Sequence, residues 1–137
     1  MKFKPAPDVQ QRLRHIVAKL KEDFSHIDAD NIVCMRSTNA KTRAYARIWS
    51  LPRIWQSALG VEPHYVIEVL SQHFDKQAKE DQDRTLIHEL MHIPKTFSGA
   101  VKPHRCQGKS IDRHSVEVFY RKLNDLPSKE EKRWKFF

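Results

Sequence analysis

The residues best suited to chemistry lie in one short stretch, HELMH, which contains His88, Glu89 and His92. In a helix, residues four positions apart share a face and lie about one turn from each other. The two imidazoles can therefore point at one metal ion, and zinc is an ordinary partner of neutral imidazole. Glu89 is rotated away from that face, but it can reach a water bound to the ion and move a proton from it to a leaving amine. The spacing predicts a zinc site with a catalytic base.

The residues around this motif favour a metal site over a chance arrangement. Apolar side chains surround it, so we expect the helix to pack in a core, where unpaired polar groups are costly. These side chains are Leu86, Ile87, Leu90, Met91 and Ile93. Pro94 cannot continue a helix comfortably. The chain must therefore leave the helix just after His92, and it can turn back toward the motif.

The third protein ligand of a catalytic zinc site has four candidates downstream of the motif. His104 follows an eleven-residue connection, which is long enough to return over the helix. His114 and Glu117 share one face of the last predicted helix. Cys106 would bind as a thiolate and would weaken the Lewis acidity of the ion. We rank His104 first and Cys106 last, and the residues alone leave the choice open.

Patterns of apolar residues predict the elements that must position these side chains. Helices are predicted over 8–24, 52–60 and 84–93, with a last helix marked by Val116, Phe119, Tyr120 and Leu123. Strands are predicted over 32–37, 43–49 and 63–70, with the first two paired as a hairpin. In the short second helix, the side chains expected to face inward are Leu51, Ile54, Trp55 and Ala58.

Length and composition indicate a single domain in this chain of 137 residues. The predicted division is a loose tail over 1–7, the domain over 8–126, and a charged and aromatic tail over 127–137. Two cysteines, no long apolar run and no signal-like N-terminus favour a reduced, cytoplasmic protein without a membrane partner. The formal net charge of +8 favours acidic partners, nucleic acid first. Arg43 and Arg47 are candidates for phosphate contacts.

Several short motifs together resemble a known family. HELMH followed by IP, then TFSG, then KPH, and then a helix containing VEVFY resembles the small metallopeptidase domain found in phages and prokaryotes. More distantly, the chain is similar to SprT-like proteins and to minimal zincins. The resemblance is strongest over 84–121 and extends more loosely back through 46–74. It implies an α+β, minimal zincin-like fold, in which a small, mostly antiparallel sheet packs against helices.

The resemblance also implies an activity and a set of site residues. It implies a zinc metallopeptidase acting on a polypeptide substrate, with Zn²⁺ held by His88, His92 and His104 and with Glu89 as general base. In zinc peptidases the edge strand before the active helix commonly binds the substrate as an added strand. By this analogy, residues 63–70 are the docking edge.

Other side chains are candidates for supporting parts. Tyr65 and Tyr120 are candidates for a contact with the substrate or with the oxyanion formed at the scissile carbonyl, and His64 is a candidate for a substrate contact. Thr85 and Asp112 are candidates for orienting a ligating imidazole. The alternative function is a basic module that binds nucleic acid or protein and holds a structural or catalytically inactive zinc. A structural zinc normally has four protein ligands and no poised carboxylate, so the sequence favours the hydrolase.

Overall fold

The computed structural model describes residues 1–106 and 109–127, without the side chains of Cys106 and Lys109. From residue 128 onward, the predicted C-terminal tail lies outside the described residues. The helices are α1 (Pro7–Lys19), α2 (Arg53–Leu59), α3 (Ser71–Phe74), α4 (Lys79–Met91) and α5 (Arg113–Leu123). The strands are β1 (Lys2–Pro5), β2 (Ile32–Thr38), β3 (Ala46–Ser50), β4 (Tyr65–Leu70), β5 (Arg105–Cys106) and β6 (Lys109–Ser110). The architecture is α+β, as predicted.

Four of the strands form one mixed sheet in the order β1-β2-β4-β3. The central strands β2 and β4 are parallel, whereas β1 and β3 pair antiparallel at the two edges. The predicted hairpin between 32–37 and 43–49 is therefore wrong, because β4 lies between these strands. The burial of the two strands agrees with this order. Nearly all side chains of β4 are buried, as is typical of a central strand covered on both faces, whereas Trp49 and Ser50 at the end of β3 are exposed.

Both ends of the first helix differ from the prediction. The loose tail expected over 1–7 is wrong, because Lys2–Pro5 pair with β2 as an edge strand. Helix α1 begins at Pro7, where the missing N–H of proline removes no helical hydrogen bond. It ends at Lys19 rather than at residue 24, and hydrogen-bonded turns then carry the chain on to the buried Phe24.

The core lies between the sheet and three helices. Helix α1 packs on β2 and α4, and α4 packs on β3 and α5. The innermost residues are fully buried apolar side chains, among them Leu13, Ile16, Ile67, Val69, Ile87 and Leu90. Among the described residues, no helix has both the length and the apolar character that crossing a bilayer requires. The core thus fixes α4 against the sheet and sets the position of the HELMH residues.

Helix α2 lies outside this core. It contains no buried residue, and Ile54 and Trp55 are 76% and 56% exposed. The predicted inward orientation of its apolar side chains is therefore wrong. The helix ends at Gly60, as predicted, in the left-handed conformation with φ of 64°. Its attachment is polar, because the Gln56 side-chain amide donates hydrogen bonds to the carbonyls of Leu51 (2.8 Å) and Ser98 (3.1 Å).

A buried carboxylate connects the edge strand β3 to its neighbour. Glu68 on β4 is 1% exposed, and it accepts hydrogen bonds from Arg47 Nε (2.8 Å) and Trp49 Nε1 (2.8 Å). Burial opposes ionisation, but these hydrogen bonds prevail and hold the pKa of Glu68 below its usual value. The carboxylate therefore stabilises the pairing of β3 with β4. Arg47, a candidate for a phosphate contact, is engaged in this pair.

We predict that Glu68→Gln lowers the free energy of unfolding by about 1–3 kcal/mol at pH 7, because the charge-assisted hydrogen bonds are lost. The native pKa of Glu68 lies below that of the unfolded chain, so its contribution is present above about pH 4.3. The contribution is lost as the pH falls through the native pKa. Urea unfolding at several pH values should show the difference between variant and parent shrinking in acid. A difference that stays constant down to pH 3 would contradict this, and the exposed Glu22→Gln is the control.

Candidate metal centre

Helix α4 presents the HELMH residues at its C-terminal end. His88 and Glu89 lie in its last turn, and His92 is the C-cap residue with helical backbone angles (φ −73°, ψ −13°). The two histidines therefore lie one turn apart, as the spacing predicts. The helix begins at Lys79, earlier than the predicted residue 84, because the polar segment before the motif is also helical. Part of that segment is buried, since Asp83 pairs with Arg12 of α1.

Three imidazoles meet beside the end of α4. The Nε2 atom of His88 lies 3.3 Å from Nε2 of His92 and 3.3 Å from Nε2 of His104. The donor atoms of the three residues all lie within 4.8 Å of one another. Two nitrogen ligands of a tetrahedral zinc ion, with Zn–N distances of about 2.0–2.1 Å, are about 3.3–3.4 Å apart. The spacing of these nitrogens therefore suits a tetrahedral metal ion.

A backbone clasp orients His92. Its Nδ1 atom lies 2.6 Å from the carbonyl oxygen of Lys102, and the Lys102 N–H donates to the His92 carbonyl at 2.7 Å. Because a carbonyl oxygen only accepts, Nδ1 must carry the proton, and the lone pair of Nε2 is directed to the cluster. Ligating imidazoles usually have such a partner on the other ring nitrogen. The clasp also joins the end of α4 to the segment that leads to His104.

Local desolvation keeps His88 and His92 uncharged. Burial, together with the neighbouring His92 and His104, lowers the pKa of His88 to about 4. Burial also lowers the pKa of His92, and it outweighs the hydrogen bond to Lys102. The neutral form of imidazole is the one that binds metal ions. At neutral pH, His88 and His92 are therefore already in their ligating form.

Glu89 lies next to the cluster and lines a cleft. It is 7% exposed, and the cleft of about 550 Å³ is also lined by His88, Tyr45 and Ala46. No hydrogen bond to its carboxylate is found within the described part of the chain. Burial raises the pKa of Glu89 to about 8. A cation on the three imidazoles would lower this pKa, because a nearby opposite charge favours the ionised form. The group is suited to take up and return a proton near neutral pH.

Two of the other candidates for the third ligand, Glu117 and His114, lie away from the cluster. Glu117 on α5 forms ion pairs with Arg84 (2.9 Å) and Arg121 (3.6 Å). His114 is exposed near the start of α5 and lines a different cavity. The side chain of Cys106 lies outside the described atoms. The structure thus brings together the residue that ranked first in the sequence, His104, with the two histidines of the motif.

Neither predicted tyrosine lines the cleft that Glu89 faces. Tyr65 is 1% exposed, and its hydroxyl donates to the Ala100 carbonyl (2.7 Å) and accepts from the Gly99 N–H (3.0 Å). Tyr120 is buried, and the Arg84 guanidinium lies 3.9 Å from the centre of its ring. Both tyrosines are engaged within the protein, so we do not assign them to the substrate or the oxyanion.

The predicted orienting residues are also engaged elsewhere. The Thr85 hydroxyl donates to Gln77 Oε1 (3.1 Å), and the Asp112 carboxylate accepts from the Ser115 N–H (2.9 Å) and caps α5. The partner of His92 is instead the backbone carbonyl of Lys102. Sequence reasoning missed this partner, because every residue has a carbonyl group and its position depends on the path of the loop.

Strand β3 is the edge strand that packs against α4, and within the described residues it pairs with β4 alone. The docking edge predicted over 63–70 is wrong, because β4 pairs on both sides, with β2 and with β3. Strand β3 packs against α4, and its first residue, Ala46, lines the same cleft as Glu89. The prediction took the strand that precedes α4 in sequence as the neighbour in space. The available signal was the alternation over 43–49, where Ala44, Ala46 and Ile48 alternate with basic and aromatic residues, as is typical of a strand with one face in contact with solvent.

We predict that the chain binds Zn²⁺ and that His88→Ala, His92→Ala and His104→Ala each lower the affinity about 100-fold or more. Each of these substitutions removes one of the three proposed metal ligands. The His114→Ala variant should keep the Zn²⁺ affinity of the parent. Competition with a chromophoric chelator measures the four values. Parent-like affinity in the His104→Ala variant would contradict the assignment of the third ligand.

The chain is similar to a known protein family over nearly its whole length. The model of a family described as "Putative phage metallopeptidase" matches residues 1–135. No curated protein and no solved structure matches the chain. The match agrees with the resemblance carried by HELMH and the motifs after it, and it covers nearly the whole chain. It gives no support to a nucleic-acid partner, and the more distant likeness to SprT-like proteins stays a prediction.

Proposed function

The chain belongs to the phage metallopeptidase family, and from this premise we propose that it is a zinc-dependent peptidase with a minimal zincin-like fold. His88, His92 and His104 would hold the ion. The main support is the 3.3 Å separation of His88 Nε2 from the Nε2 atoms of the other two histidines. The desolvation that keeps His88 and His92 neutral adds to it, because neutral imidazoles suit a cation.

Glu89 is the proposed general acid and base. A zinc ion in this site would act as a Lewis acid, polarising the scissile carbonyl and making a water molecule more acidic. A carboxylate oxygen of Glu89 accepts the proton of the attacking water and then donates it to the nitrogen of the leaving amine. The buried position of Glu89 helps, since few water molecules compete for the proton. The Lys102 carbonyl holds the His92 ring in place through both steps.

We propose that the substrate binds along β3 as an added strand. This strand ends the four-stranded sheet, and its pairing with β4 leaves one side of its backbone without a sheet partner among the described strands. Ala46 places one end of the strand in the cleft that Glu89 lines. The half-exposed Tyr45 lies beside it and lines the same cleft. A polypeptide paired with β3 would therefore pass close to Glu89.

The number of ligands bears on the alternative of a structural zinc in a binding module. A structural site normally has four protein ligands, whereas a catalytic site keeps one position open. In the described ranges, the only cluster of histidines, cysteines and acidic residues suited to a metal ion has three members. Three histidine ligands beside the carboxylate of Glu89, which has no hydrogen bond among the described residues, favour a catalytic zinc site over a structural one.

We predict that Glu89→Gln lowers kcat by about 10²–10⁴-fold while Zn²⁺ affinity changes little, because the variant loses a proton acceptor and no ligand. Hydrolysis of an unstructured polypeptide, such as reduced casein, gives kcat, and chelator competition gives the affinity. Glu80→Gln is the matched control, since it is the same change in the first turn of the same helix. Turnover by Glu89→Gln at the rate of the parent would refute the assignment.

We predict that Tyr45→Ala raises KM about five- to tenfold with little change in kcat, because a contact along the substrate strand is lost. Trp55→Ala removes an aromatic side chain of similar exposure that does not line the cleft, and it should leave KM unchanged. Steady-state kinetics on the same polypeptide substrate measures both. Equal effects of the two substitutions would argue against β3 as the docking edge.

A further inference from the structure

The loop that connects α4 to His104 has no secondary structure of its own. It runs through residues 94–103 and includes Gly99 with φ of 93°, a conformation that side chains rarely adopt. Such a connection must be fixed by contacts with the rest of the protein if it is to hold His104 near His88 and His92. Two side chains from different elements make such contacts at the same point of the loop.

The first contact comes from the centre of the sheet. Tyr65, the first residue of β4, uses its hydroxyl twice, as donor to the Ala100 carbonyl (2.7 Å) and as acceptor from the Gly99 N–H (3.0 Å). Its ring packs edge-on against Phe97 of the same loop, with 5.1 Å between ring centroids. Because Tyr65 is 1% exposed, water cannot readily replace these hydrogen bonds.

The second contact comes from α2. The Gln56 amide nitrogen donates to the Ser98 carbonyl (3.1 Å) and to the Leu51 carbonyl (2.8 Å), so it connects the loop to the end of β3. The approach is close, because a Cβ atom at Gly99 would lie 2.7 Å from the Leu51 carbonyl oxygen and would also meet the Gln56 side chain. Through this contact α2 holds the loop in place, although none of the residues of α2 is buried.

The anchored residues lie just before the clasp. Ser98, Gly99 and Ala100 are held by Gln56 and Tyr65, and two residues further on Lys102 is bonded to His92 in both directions. The His104 carbonyl then accepts from the Ile111 N–H at 2.7 Å. The path from the sheet to the third imidazole is therefore held at successive points.

From these contacts we propose that Tyr65 and Gln56 are positioning residues that hold His104 in place for metal binding. The inference rests on the proposed metal site. Without the anchors, the loop samples more conformations, and its ordering opposes ion binding. With the anchors, most of that ordering is already present in the metal-free protein. The two side chains act through the loop and touch neither the ion nor the substrate.

The test is a double-mutant cycle on Zn²⁺ affinity, measured by chelator competition. Tyr65→Phe keeps the ring and removes both hydrogen bonds, and it should weaken Zn²⁺ binding about tenfold. In a His104→Ala background the same change should have a clearly smaller effect, because the loop then acts on the ion only through the Lys102 carbonyl that orients His92. A loss of equal size in both backgrounds, or no loss in either, would overturn the inference.

Gln56→Met repeats the cycle at the second anchor, with similar side-chain length and no amide. It changes a partly exposed residue, so it carries the test should Tyr65→Phe fail to fold. Gln82→Met is the matched control, because the Gln82 amide bonds to the Phe74 carbonyl (2.9 Å) away from the loop, and it should keep parent-like affinity. If the unchanged chain binds no Zn²⁺, the proposed function fails along with this inference. Zinc binding without coupling to His104 overturns this inference alone.

Discussion

The reciprocal pair of hydrogen bonds between His92 and Lys102 is the interaction on which the rest of the site depends. It fixes which nitrogen of His92 carries the proton, and so which one presents a lone pair. It also ties the returning chain to the end of α4, so that His104 approaches the two histidines of the motif. The helix alone could place two imidazoles, and this backbone contact brings the chain that carries the third one back to them.

Strand β4 serves two purposes because side chains alternate between the faces of a strand. Tyr65 and Glu68 are three positions apart and so project to opposite faces. Tyr65 holds the loop that carries His104, and Glu68 binds Arg47 and Trp49 of the edge strand. Strand β4 is thus bonded both to the loop that carries the third imidazole and to the strand proposed to bind substrate. A shift of β4 would therefore move both.

The sequence predicted which histidines lie together better than it predicted the pairing of the strands. The spacing of HELMH, the break at Pro94 and the connection to His104 depend on short-range geometry, and the structure brings those three histidines together. Strand pairing is a long-range property. The alternation over 43–49 identified a strand but not its neighbour, so both the hairpin and the docking edge were wrong. The predicted inward orientation of the α2 side chains was wrong for a related reason. Helical spacing of apolar residues does not show whether a core lies beside them.

The side of β3 that has no partner among the described strands has a consequence beyond the proposed substrate binding. A strand with unpaired backbone groups can also pair with another copy of the same chain, which leads to aggregation. Two features restrain this. The strand has only five residues and is followed by Pro52, which has no N–H to extend a ladder. The net charge of +8 makes copies of the chain repel each other at low salt. Colloidal behaviour of this protein should therefore depend on ionic strength as well as on concentration.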